Sequence, residues 1–240
     1  PQCWAEVDAW VEAARVCAGM FGYRLGLMGH YYGGMLDIQS DVTLHSTIFG
    51  THIEHIEVDE LTARRRTVRP DEIEARLAEF RRTFEIQPDC STDDLNEAAR
   101  TSLALDALVA DYRLGSLAYY YRGIGVAENE ATIASIILGT SLLTARGVPV
   151  AGEYEVKNVQ AMKILDLFGV GGSFTEYYAI DFNDDVVLMG HEGPGHIAIA
   201  EGRTKVRPLK FYHGKVGRGV SEEMAVRQGP VTLQSDIEDG

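Results

Sequence analysis

Two glutamates and one histidine, Glu153, Glu176 and His191, fall within about forty residues of one another. They lie in the segments AGEYEVK (151–157), GGSFTEYYAIDF (171–182) and VVLMGHEGPGH (186–196). Each sits where an element should begin or end. Two carboxylates and one imidazole leave coordination positions open, which suits a hard divalent cation such as Mn²⁺ or Mg²⁺ better than a closed zinc site. The same carboxylates can shuttle protons. The combination points to metal-assisted chemistry on an oxygen-rich substrate.

Each residue also has a plainer reading. Glu153 follows Ala151-Gly152 at a strand-to-helix turn, where the helix dipole alone stabilises an acid. Period-two alternation puts Glu176 on one strand face with Phe174 and Tyr178, where a carboxylate is costly to bury without a partner or a metal. If that face is solvated, no partner is needed. His191 opens the glycine-rich loop GHEGPGH, whose glycines can serve backbone geometry alone. His191, Glu192 and His196 form a rival set that would predict zinc, although HxxxxH on a loop is a weak signal.

Other motifs carry less. GHYYGGMLD (29–37) follows a strand but lacks GxGxxG and GxxxxGK[ST]. His52 and His55, alternating with Glu54 and Glu57, fit a solvent-facing strand. RRTVR (65–69) fits a solvated helix end, and Tyr119, Tyr120 and Tyr121 fit strand packing before a sugar platform. No GxSxG is present, which argues against a covalent hydrolase.

The elements that would position these residues alternate between two periods. Helical spacing covers 4–21, 38–49, 59–83, 130–145 and 155–168, and Ser91-Thr92-Asp93-Asp94 caps a long helix to about Leu114. Pro70, followed by Asp71 and Glu72, marks a helix start. Strand patterns cover 23–29, 51–58, 116–121 and 148–152. This alternation predicts βαβ units: an α/β, doubly wound, mostly parallel sheet of Rossmann or flavodoxin-like type. Ligand loops then belong at the carboxyl ends of strands, at 29–37, 122–129 and 151–155. After residue 170 the segments FTEYYAIDF, DVVLMGH, KVRPLKFYH, EEMAVRQ and GPVTL read as successive strands, with a hairpin turn at Asn183-Asp184-Asp185. The chain therefore divides into an α/β domain (1–170) and an antiparallel, β-rich region (171–240).

Composition narrows the classes. The 240 residues are 45% hydrophobic and 24% charged, enough to bury a sizeable core. A formal net charge of −14 argues against nonspecific nucleic-acid binding. Cys3, Cys17 and Cys90 are few and scattered, which fits a reduced, cytoplasmic protein rather than a disulfide framework. No apolar stretch approaches the roughly twenty residues of a membrane span. The chain starts at Pro1 within a helical pattern and stops soon after a strand pattern, and it reads as an internal piece of a longer protein.

The same segments, in the same order, resemble the L-arabinose isomerase and L-fucose isomerase superfamily. RLGLMGHYYGGMLD resembles the start of that family's central domain, NEAARTSLALDAL its long helix, and LLTARGVPVAGEYEVK its metal-glutamate turn. GGSFTEYYAIDF and VVLMGHEGPGH resemble the segments carrying the second glutamate and the metal histidine, and HGKVGRGV and GPVTL the opening of the last β domain. The resemblance implies an aldose–ketose isomerase acting on a pentose or deoxyhexose through an enediol. Glu153, Glu176 and His191 would bind Mn²⁺, Mg²⁺ or Co²⁺, and Glu153 and Glu176 would be the acid/base pair. It further implies a trimer or hexamer and a small-molecule sugar substrate; the charge and the lack of an apolar span, read above, argue against a nucleic-acid or membrane partner. The chain departs from the pattern in the turn, where AGEGD is commoner: Tyr154 replaces a glycine, and Glu155 becomes a possible alternative ligand. The family's N-terminal domain and a second, downstream histidine have no counterpart in these residues. A noncatalytic sugar-binding or assembly module on the same fold is the competing expectation.

Overall fold

The computed structural model describes residues 2–234 except 124, 210, 213, 214 and 217. Its centre is a four-stranded, all-parallel sheet: β1 (Arg24–Gly29), β2 (His52–Ile56), β4 (Ser116–Tyr120) and β5 (Val150–Ala151), in the spatial order β2-β1-β4-β5. β1 and β4 are near-continuous apolar runs because both faces are covered. Leu117 and Tyr119 point to one face, and Ala118 and Tyr120 to the other. One face packs on α3 (Val58–Thr67), α5 (Thr92–Tyr112), α6 (Ala127–Ala134) and α7 (Ile137–Ala145). The other packs on α8 (Val156–Leu167), with α1 (Gln2–Met20) outside it. Helices on both faces make the sheet doubly wound, as the alternation predicts.

The chain reverses its direction of sheet growth between β1 and β4, so the crevice beyond their carboxyl ends is the expected ligand position. β1 must pass close to β4 there. Gly29 has φ 91°, and a Cβ on it would run into the Tyr120 carbonyl.

Local chemistry sets most boundaries. Asp41 caps α2 (Val42–Phe49) by accepting from Thr43 N–H and Leu44 N–H at 2.9 and 3.0 Å, so this helix starts later than residue 38. Glu57 caps α3, which shortens the preceding strand to five residues. The charged stretch 59–83 is two helices, α3 and α4 (Pro70–Thr83), parted before Pro70. Ser91 caps α5 through Asp94 N–H at 3.0 Å.

The expected helix over 130–145 is instead α6 and α7, broken at Ser135-Ile136. Ser135 Oγ hydrogen-bonds the Ala131 carbonyl at 2.7 Å and meets Thr101 Oγ1 at 2.6 Å, so its side chain competes with the helical ladder.

Beyond residue 170, β6 (Glu176–Asp181) and β7 (Val186–Gly190) form an antiparallel hairpin. A short 3₁₀ turn (Ile197–Ile199) leads to β8 (Lys205–Pro208), then the paired β9 (Phe211–Tyr212) and β10 (Lys215–Val216), and β11 (Val220–Glu223). β8 lies between antiparallel β11 and parallel β3 (Glu85–Ile86), a two-residue strand that carries no sequence signal. Val206 and Val220 join Phe80, Phe84, Leu138 and Leu142 in a third core cluster. GPVTL is not a strand, and the segment EEMAVRQ is strand only at its start, with one bridge at Val226. HGKVGRGV falls partly outside the described residues. Among those described, no helix is long and apolar enough to cross a membrane.

Candidate metal centre

The three residues singled out from the sequence meet at one point. Glu153 lies in the turn after β5, Glu176 opens β6, and His191 directly follows β7. Their ligand atoms all lie within 4.8 Å of one another. The hairpin register explains two of the three, because Glu176 sits opposite Gly190 and so delivers its carboxylate beside His191. Sheet topology supplies the third by ending β5 at the same edge.

The turn bearing Glu153 is strained. Glu153 and Tyr154 have φ of 57° and 66°, two consecutive left-handed residues with side chains. Its amides remain engaged: Tyr154 N–H donates to Tyr119 O at 3.0 Å, Glu155 N–H to Gly152 O at 2.9 Å, and Tyr32 N–H to Glu153 O at 3.3 Å. Tyr154 is buried, and its ring meets Tyr31 edge-on with centroids 4.7 Å apart. The ring thus wedges the turn against the 30–41 loop, which is itself tied to α8 by Lys157 Nζ donating to Asp37 O at 2.6 Å. Burial pushes the Tyr154 hydroxyl up to about 12, with Tyr31 and Glu57 adding to it.

Two polar atoms of the cluster are buried without hydrogen bonds. The Glu153 and His191 side chains are only 10% and 9% exposed, and their nearest approach, Oε2 to Nε2, is 3.9 Å. Glu153 Oε2 and His191 Nδ1 are buried without a hydrogen bond. A buried carboxylate oxygen without a hydrogen bond is costly, and a cation between the three residues would remove that cost. The donor set fits a divalent ion that prefers oxygen and tolerates imidazole. Phe174 packs its ring on His191, centroids 4.0 Å apart and planes tilted by 43°.

The rival sets do not assemble. Glu192 is exposed and His196 is buried elsewhere, so His191, Glu192 and His196 do not form a metal-compatible group among the described residues. Glu155 is not part of the cluster either. It is buried at the start of α8, accepts from Asn158 Nδ2 at 2.7 Å, and has its carboxyl pushed up to about 7 by burial, against the pull of Lys157.

Two aromatic residues, Tyr120 and Tyr178, lie near the three carboxylate and imidazole groups. Tyr120 ends β4 and holds Tyr32 at 5.0 Å and His30 at 5.3 Å, centroid to centroid; burial raises its hydroxyl pKa, with Tyr32 and Glu153 adding to the rise. Tyr178 is raised by burial too, then by Glu176 and Glu192.

No protein-family model matches the chain, and no curated protein matches it.

Proposed function

We propose that the protein is a metal-dependent aldose–ketose isomerase acting on a pentose or deoxyhexose of the L-arabinose or L-fucose type. The observation that carries this reading is the convergence of Glu153, Glu176 and His191 at the carboxyl ends of a parallel sheet, with buried polar atoms lacking partners. The ordered resemblance of the surrounding segments supplies the substrate class. Mn²⁺ fits the donor set, and Mg²⁺ or Co²⁺ would serve the same ligands.

In this reading the two glutamates divide the proton work. One takes the proton from C2 of the open-chain sugar, the C1–C2 bond gains double-bond character, and the same carboxylic acid returns the proton to C1. The other moves a proton between O1 and O2, so the balance closes without a redox cofactor. A bound divalent cation would polarise the two oxygens between which the carbonyl migrates. His191 and Phe174 fix one wall of the site, and the Tyr154 wedge fixes the turn that aims Glu153. The resemblance extends the proposal to a cytoplasmic homo-oligomer, a trimer or hexamer.

The test is aldose–ketose interconversion by the intact protein with Mn²⁺, across L-arabinose, L-fucose and their stereoisomers. Glu153→Gln should lower kcat by about 10²–10⁴-fold, as expected for loss of a general base. Sugar binding with no turnover in the wild type would overturn the reading and leave a noncatalytic sugar-binding module.

A further inference from the structure

Metal-bound histidines usually donate their second ring nitrogen to a carboxylate or carbonyl, which fixes the ring. His191 has no such bond, since its Nδ1 is buried without a partner. Its orientation must come from the Phe174 ring and from the path of the 191–196 loop. That path is pinned at its far end. Gly195 N–H donates to Ser141 Oγ on α7 at 3.1 Å and to Glu222 Oε1 on β11. Glu222 is 9% exposed; its Oε1 takes the Gly195 N–H, and its Oε2 is buried without a hydrogen-bond partner. A Cβ at Gly195 would lie 2.6 Å from Glu222 Oε1 and 2.8 Å from Met224 Sδ, so it would have to push the clamping carboxyl aside. The next residue, His196, donates its N–H to Ser173 Oγ at 3.3 Å and is itself buried.

We propose that Glu222, with Ser141, is a positioning residue for the metal centre: the pair clamps Gly195 and so holds His191 against Glu153 and Glu176. This rests on the reading of those three residues as a metal centre. The clamp replaces the missing hydrogen bond at Nδ1 with a fixed backbone. Burial raises the Glu222 carboxyl to about 8, with Ser141 and the Gly195 N–H opposing the rise, which favours the neutral acid in the folded protein. A neutral acid keeps a carbonyl oxygen that can accept the Gly195 N–H, as a glutamine amide does. Glutamine should therefore replace Glu222, and alanine should not.

Two measurements test this. In metal-free protein, amide exchange over residues 190–197 should accelerate at least tenfold in Glu222→Ala and stay at the wild-type rate in Glu222→Gln. In calorimetric Mn²⁺ titrations well below the melting temperature, Glu222→Ala should weaken binding by about tenfold, the lower end for loss of outer-shell support, with Glu222→Gln within about threefold of wild type. A role confined to folding would lower the melting temperature and leave the Mn²⁺ affinity of the folded variant unchanged. If Glu222→Ala does not fold, Ser141→Ala carries the comparison, and a Mn²⁺ affinity equal to wild type there overturns the clamp. Equal affinities for wild type and Glu222→Ala, or a Gln variant as weak as Ala, also overturn it while leaving the metal centre intact. A wild type that binds no Mn²⁺ overturns the metal centre, and the positioning role with it.

Discussion

Tyr154→Gly separates strain from packing in the turn that aims Glu153. Tyr154 holds φ 66°, where a side chain costs about 1–2 kcal/mol that glycine does not pay. On strain alone the variant should be more stable. Against that, Tyr154 is 6% exposed, and a buried tyrosine hides roughly 150–250 Å². At about 25 cal/mol per Å², and counting part of that area as polar, the lost burial is about 4 kcal/mol. The edge-on pair with Tyr31 adds about 1 kcal/mol. The balance predicts destabilisation of about 3 kcal/mol, since packing outweighs strain. Urea unfolding of metal-free protein measures it: with a slope near 3 kcal/mol/M, the midpoint should fall by about 1 M. A variant as stable as wild type, or more so, would refute the argument that the Tyr154 ring compensates the left-handed turn.

Two further outcomes follow from named groups. The Glu222 carboxyl, held near 8 when folded, ionises near 4.5 when unfolded. Below pH 4.5 both states are protonated; between 4.5 and 8 only the unfolded state is ionised, so this group lowers stability by about 1.4 kcal/mol per pH unit as pH rises, and the fall ends above 8. Metal-free Glu222→Gln should show a flatter decline between pH 5.5 and 7.5 in urea midpoints, and parallel curves would contradict the assignment. Asp41→Ala removes two hydrogen bonds to the first turn of α2 and should cost about 1 kcal/mol in the same unfolding assay, without changing Mn²⁺ affinity.

Sequence pattern carried the central sheet because β1 and β4 are apolar on both faces and their connecting helices have clear starts at Ser91 and Pro70. It did not carry the break at Ser135, where a side chain bonds backbone carbonyls inside an otherwise helical run. It did not carry β3 either, whose two residues become a strand only because β8 returns to pair with them. The candidate ligands were legible because each sits at an element end within a distinctive segment. Their support was not. Glu222 and Ser141 lie 31 and 50 residues from His191 in opposite directions along the chain, and only tertiary packing brings them under its loop. The left-handed pair Glu153-Tyr154 was hidden too, since a bulky residue ordinarily argues against that conformation.

The most direct measurement of the central claim is Mn²⁺ binding by calorimetry on the wild type and on Glu176→Ala. Saturable binding of one ion is expected in the wild type, with its loss when one of the three ligands is removed and the Glu176→Ala fold intact by circular dichroism. Binding of equal strength in both proteins would place the metal elsewhere and exclude Glu176 as a ligand.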